Sequence, residues 1–390
     1  MEMNHKLRQN KIFMFSSVHV WSDTRIFFKE AKTLVENGFE VDFYAMSGTT
    51  EYEDTIPNLQ VTTLARGGKW SRPKTWRTLY KAALQSDASC YHFHDFELLP
   101  VAVKLKKRKP GARIIYDMHE NFPAMMETKD WIPALFRKPF SRWIAKKERD
   151  YIPHCDHLIF AESSYKKHYA DLDIPKTDIL NLPIWEARQE REKDTVFTFI
   201  YVGDIIQDRG VFNMIELMHE LKLRGHDALK LKLIGPMQSH VETEVMKCIV
   251  ERDLVNNVEW LGRLPYNEIW DHYGSAHVGL CLLHPIPNYM HSLATKIFEY
   301  MAAGLPILAT NIPDWEALMA ETDTGFTVDV WDGQAVADKA EQFIAKPALC
   351  KDFARHGRRA FETRYNWTTE AGKLIHIYSE LNDGKQGMRK

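Results

Sequence analysis

Lys296–Thr310, KIFEYMAAGLPILAT, joins the end of one element to the start of another. Thr295 and Lys296 open a short helix, Glu299 lies one turn along it, and Gly304-Leu305-Pro306 leads straight into an apolar strand, Ile307–Ala309. Upstream of this α–β step, apolar strands are expected at Val196–Val202, Leu231–Ile234, Val258–Leu261 and Val278–Leu282, with helical patterns between them. Strands alternating with helices in this way predict a parallel, doubly wound sheet.

The same alternation precedes the charged, irregular stretch Asn181–Lys193. Lys11–Ser16 is a compact apolar run suited to a buried strand. Phe27, Phe28, Ala31, Leu34 and Val35 recur at helical spacing, Gly38 ends that helix, and Phe39–Ala45 forms the next strand. Further strands are expected at Cys90–Phe93, Arg113–Asp117 and Leu158–Ala161. The fold class is therefore α/β, with two Rossmann-like, doubly wound halves. Their expected bounds are 1–188 and 189–366, followed over 367–390 by a terminal helix whose return to the first half the sequence does not show.

At 390 residues the chain can bury two cores. Cys90, Cys155, Cys248, Cys281 and Cys350 form no CxxC pair, which speaks for free thiols in a cytoplasmic protein and against structural zinc. No stretch reaches the roughly 20 apolar residues of a membrane span. Residues 1–190 hold 29 Lys and Arg against 25 Asp and Glu, and the remainder holds 22 against 28. Part of the basic excess lies in Arg137–Lys147, RKPFSRWIAKK, where Phe140, Trp143 and Ile144 interleave with the cations. Two readings suit such a segment: a helix lying on an anionic membrane surface at the inner face of the cell membrane, or a solvated helix with a core-facing stripe.

Loops at the carboxyl ends of strands are where open α/β sheets bind ligands. In Tyr201–Gly210, YVGDIIQDRG, Gly203 permits close backbone approach and Arg209 offers a planar cation to a diphosphate, unless it is an ordinary surface arginine. Thr295 and Lys296 suit phosphate oxygens, and Glu299 suits a pair of vicinal hydroxyls; the plain alternative is a solvated Lys–Glu pair. In the first half, His94 and Asp95 at a strand end would border an acceptor, Ser22 or Asp23 is the expected helix cap, Asp23 is also expected on the acceptor side, and Arg25 is placed to meet an anionic acceptor or diphosphate unless it is an exposed arginine. His92, His94, Asp95 and His119 are metal-ligand types, but no helix-borne metal motif accompanies them, and no metal is expected.

KIFEYMAAGLPILAT, with the preceding strand ending in Leu282-Leu283-His284-Pro285, resembles the donor signature of family 4 glycosyltransferases of the group 1 type. VGDIIQDRG resembles that family's Gly-Arg…Lys-Gly loop, and SSVHVWSDTRIFFKEAKTLVENGFEV resembles its opening strand–loop–helix. The resemblance implies a GT-B fold, two Rossmann-like domains facing across a cleft, and a retaining, metal-independent transfer of a sugar from a nucleoside diphosphate. Glu299 resembles the glutamate that holds the ribose, and Leu293, Ala294 and Thr295 the backbone cradle of the diphosphate. His291 stands where the family often has a sugar-contacting glutamate. Asp204 stands at the arginine position and Arg209 at the lysine position, with Lys296 the substitute cation. His119, in Tyr116-Asp117-Met118-His119-Glu120, matches the histidine that faces the donor sugar. Catalytic roles thus fall to His119, Arg209 and Lys296.

The expected partners are a nucleotide sugar, UDP before GDP, and a glycan or lipid-linked glycan of cell-surface polysaccharide synthesis, with no further cofactor and no nucleic acid. Rival readings are a non-catalytic nucleotide- or glycan-binding protein and a sugar-nucleotide epimerase. A nicotinamide enzyme is opposed by the loop SSVHVWSDTR after the first strand, which lacks G-x-G-x-x-G.

Overall fold

The computed structural model describes residues 10–387 except 49–50, 53–54, 69–70, 128, 130–131, 185–190, 288 and 291. The chain forms two compact units, residues 1–181 with 367–390 and residues 182–366.

The first unit is built on a seven-stranded, wholly parallel sheet. Its strands are β1 (Lys11–Val20), β2 (Glu40–Met46), β3 (Leu59–Leu64), β4 (Cys90–Phe93), β5 (Arg113–Met118), β6 (His157–Phe160) and β7 (Lys176–Asp178), in the order β3-β2-β1-β4-β5-β6-β7. Because strand side chains alternate faces, Phe13 and Phe15 of β1 join one core with Tyr91, Phe93 and Tyr116, while Ile12 and Met14 join the other with Phe27, Phe43 and Ile115. Covering both faces with helices is what a parallel sheet requires. Part of the second cover comes from the end of the chain. Trp367, Leu374, Ile377 and Tyr378 of helix Trp367–Gly387 pack into that core, and Trp367 Nε1 donates to Thr33 Oγ1 at 2.9 Å.

The second unit repeats the architecture. β8 (Phe197–Val202), β9 (Leu229–Ile234), β10 (Val258–Trp260), β11 (Val278–Cys281), β12 (Ile307–Thr310) and β13 (Gly325–Val328) run in the order β10-β9-β8-β11-β12-β13, all parallel. In each sheet the strand order reverses beside the first strand of the unit, between β1 and β4 and between β8 and β11. Crevices at such reversals are where these sheets bind ligands. The α–β step of the quoted run forms as expected: helix Thr295–Ala303 ends at Gly304 in the left-handed region, φ 63°, and the chain enters β12.

Two edge strands, β3 (LQVTTL) and β13 (GFTV), were not among the expected ones, because edge segments with few large apolar residues resemble loops in sequence. β1 also runs four residues past Ser16. The basic segment is part of helix Ala134–Tyr151, which buries Ser141, Ile144 and Glu148. Leu135, Phe136 and Trp143 remain 81%, 60% and 55% exposed. Among the described residues no helix is long and apolar enough to cross a membrane.

Candidate functional site

The second unit gathers its polar groups where β8 meets β11. Gly203 follows β8 with φ 142°, and Gly210 closes the loop with φ 80°. A Cβ on Gly210 would stand 1.9 Å from the carbonyl oxygen of Leu282, so only glycine lets this loop press against the end of β11. Asp208 O accepts from His284 N at 2.9 Å, which fixes the same approach.

That closure aims Arg209 back at Gly203. A Cβ placed on Gly203 would lie 3.2 Å from an Arg209 guanidinium nitrogen and 3.5 Å from Lys296 Nζ, so two cations from separate elements converge over one bare stretch of backbone. Lys296 is buried, and its ammonium stands 4.7 Å from the centroid of the Tyr201 ring, whose hydroxyl donates to Asp204 O at 3.0 Å. The Asp204 carboxylate, 3.5 Å from Arg209, is a half-exposed counter-ion. No side chain caps helix Thr295–Ala303 at Ala294, so Leu293, Ala294 and Thr295 bring a positive helix end to the same crevice.

Among the described residues Lys296 and Glu299 make no ion pair with each other. Glu299 instead accepts from Tyr273 Oη at 2.8 Å, which holds one carboxylate oxygen in place. His291 lies outside the described residues. Tyr201 and Tyr273 were missed in the sequence reading because buried tyrosines at these spacings look like core.

In the first unit, Asp117 at the end of β5 is a hub. Arg25 donates from Nε and Nη2 to the Asp117 carboxylate at 3.0–3.2 Å and from Nη1 to Ile179 O at 2.7 Å. Asp117 Oδ2 lies 3.3 Å from His119 Nε2 and 3.4 Å from His94 Nδ1, and those two ring nitrogens are 3.2 Å apart. Glu30 Oε1 sits 2.9 Å from Arg25 Nε, but that N–H is directed at Asp117, so the Glu30 carboxyl receives charge without a hydrogen bond. Burial and the negative charge of Asp117 push the Glu30 carboxyl well above the usual range. Asp117 goes the other way: burial opposes its ionisation, and the Arg25 charge together with His119 and His94 outweighs burial and holds it low. Burial keeps His92 neutral and lowers His94 to about 4.

These positions correct three expectations. Arg25 does not reach toward an acceptor or a diphosphate, because its guanidinium is buried against Asp117, Glu30 and Ile179. His94 is buried behind Asp117 instead of bordering an acceptor. Asp95 is likewise buried, accepting from Ser16 Oγ at 2.7 Å and Ser17 N at 2.6 Å to brace the second half of β1. Asp23 caps the turn Thr24–Ala31, accepting from Arg25 N and Ile26 N, and also meets His19 Nδ1 at 3.1 Å. The His119 side chain, 14% exposed, lies beside His19 with ring centroids 4.9 Å apart and the rings tilted by 58°. Glu30, Asp117 and His19 were not singled out in sequence, where each has the look of an ordinary strand, loop or helix residue.

Residues 25–182 match the family model "Glycosyltransferase Family 4" and residues 183–360 match "Glycosyl transferases group 1". The capsular polysaccharide biosynthesis glycosyltransferase CapM of Staphylococcus aureus is 25% identical over 196 residues, 48% of this chain and 48% of that protein. The chain spans about half the length of the curated relatives it matches first. Among solved structures, sucrose-phosphate synthase from Thermosynechococcus elongatus superposes with a TM-score of 0.76 at 14% identity, covering 96% of this chain and 100% of that one. Anabaena Alr3699/HepE in complex with UDP gives 0.70 at 11% identity, covering 95% and 100%. These likenesses establish the GT-B fold.

Proposed function

Because the chain belongs to the family 4, group 1 glycosyltransferases, we propose that it moves a sugar, with retention, from a nucleoside diphosphate sugar to a hydroxyl of a glycan or lipid-linked glycan in cell-surface polysaccharide synthesis. The convergence of Arg209 and Lys296 on Gly203, one helical turn from Glu299, carries this reading. The diphosphate lies over Gly203 and against the start of helix Thr295–Ala303. Glu299, steadied by Tyr273, accepts from the two ribose hydroxyls. As the glycosidic bond breaks, negative charge grows on the leaving diphosphate, and the two fixed cations stabilise it without a metal at that position. Uridine is the favoured base, with support from the UDP complex of HepE. Asp23 and His119 line the acceptor side, with Arg25, His94 and Asp95 holding them from behind.

The test is thermal denaturation with UDP, GDP, ADP and their sugars. A ligand at one hundred times its Kd stabilises the folded state by about 2.7 kcal/mol. One nucleotide family should raise Tm, brief treatment with chelator should leave the shift unchanged, and Glu299→Ala should lose it. No shift with any nucleotide sinks the transferase reading. The Asp204 carboxylate beside Arg209 favours one rival, a protein that binds nucleotide without catalysis; a shift with no transfer of labelled sugar to any glycan acceptor would select it.

A site on the inner face of the membrane suits a lipid-linked acceptor. Leu135, Lys138, Arg142 and Lys146 follow one another at helical spacing and are exposed, beside exposed Phe136 and Trp143. The chain should sediment with phosphatidylglycerol vesicles at low salt, and Lys138→Glu with Arg142→Glu should release it. Wild-type protein left in the supernatant at low salt rejects a membrane role for this helix.

A further inference from the structure

Inside the first unit, Glu30, His92, His94 and Asp117 each bring a ligand atom to within 4.8 Å of the others, and all four side chains are fully buried. His92 Nε2 is 3.9 Å from Asp117 Oδ2, and His94 Nδ1 is 3.4 Å from Asp117 Oδ2 and 3.9 Å from Glu30 Oε2. We propose that this nest is a structural site for one divalent transition-metal ion, with zinc the best fit to two imidazoles and two carboxylates.

Three observations support it. Glu30 Oε2 and His92 Nε2 face the nest yet have no hydrogen-bond partner, an arrangement that is costly in a dry interior unless something fills it. One metal ion bound there engages both atoms. The second observation is the outer layer. His92 Nδ1 is held by Tyr378 Oη at 2.8 Å, and Arg25 grips the Asp117 carboxylate, so one imidazole and one carboxylate are oriented from behind as metal ligands usually are. The third is composition: two carboxylates face a single guanidinium, so the nest carries more anionic than cationic side chains, a balance that favours a cation. Tetrahedral ligation at about 2.0–2.2 Å requires the four atoms to draw in by less than about 1 Å.

The site is independent of the donor crevice and of the transfer reading, and its ligands come from the helical turn Thr24–Ala31, β4 with the residue that follows it, and β5. Tyr378 adds the terminal helix to it, so the ion would lock that helix to the sheet. The full-length chain, purified without chelator or metal-affinity steps from zinc-supplemented cells, should carry about one equivalent of zinc by plasma mass spectrometry. Cobalt chloride added during refolding should give the visible absorption of tetrahedral Co(II). His92→Gln, which keeps a partner for Tyr378, should lower bound metal at least fivefold, while the exposed His240→Gln should not. Wild-type chain with under a tenth of an equivalent of any first-row metal, and with no cobalt spectrum after refolding, overturns the proposal. That result assigns the nest to protons alone, and it needs no variant to fold.

Discussion

Arg209→Ala should lower kcat for sugar transfer about 100- to 1,000-fold, the size of effect expected when one preorganised group is removed from a developing negative charge. Arg209 is held for that task. Gly210 cannot carry a side chain, so the loop stays pressed on Leu282 and the guanidinium is returned to Gly203. The donor KM should rise less than kcat falls, because the ground-state diphosphate keeps Lys296 and the helix end, whereas the transition state carries the extra charge. Steady-state kinetics with a saturating acceptor would measure both. A variant that loses only donor affinity, with kcat within about threefold, would make Arg209 a binding residue and not a catalytic one. Lys296→Ala should behave similarly and also disturb Tyr201, over which its ammonium sits.

Arg25→Leu should destabilise the first unit by about 3–5 kcal/mol, the cost typical of removing one partner from a buried charge pair. The arginine donates three hydrogen bonds to Asp117 and is also the cation beside Glu30. Without it, Asp117 is left with His92 and His94, which burial keeps neutral, and with His119 at 3.3 Å. Urea denaturation followed by the near-ultraviolet signal should show an earlier first transition, with the second unit's transition in place. Arg25→Lys should fall between, since a lysine supplies charge but not the two-pronged geometry. A loss under about 1 kcal/mol for Arg25→Leu would mean that Asp117 is neutral in the folded chain and that the ion pair contributes little.

Much of the donor side was readable because its parts are short in sequence. Gly203, Arg209 and Gly210 belong to one strand–helix loop, and Thr295, Lys296 and Glu299 to one helical turn, so a glycine at a strand end and a cation at a helix start already imply an anion site. The alternation of apolar strands with helices likewise determined two doubly wound units, since a parallel sheet needs helical cover on both faces. β3 and β13 were hidden because an edge strand buries one flank only and has weak apolar patterning. On the proposed acceptor side the sequence displayed the residue types but not that Arg25, His94 and Asp95 are buried. Arg25 and Asp117 are 92 positions apart, and His92 and Tyr378 are 286 apart. Whether a charged side chain meets solvent, a ligand or a buried partner depends on which strands become neighbours and on where the terminal helix docks. Those long-range contacts, through the burial they impose, turned three expected acceptor residues into the interior support of a site, and only the tertiary structure decides them.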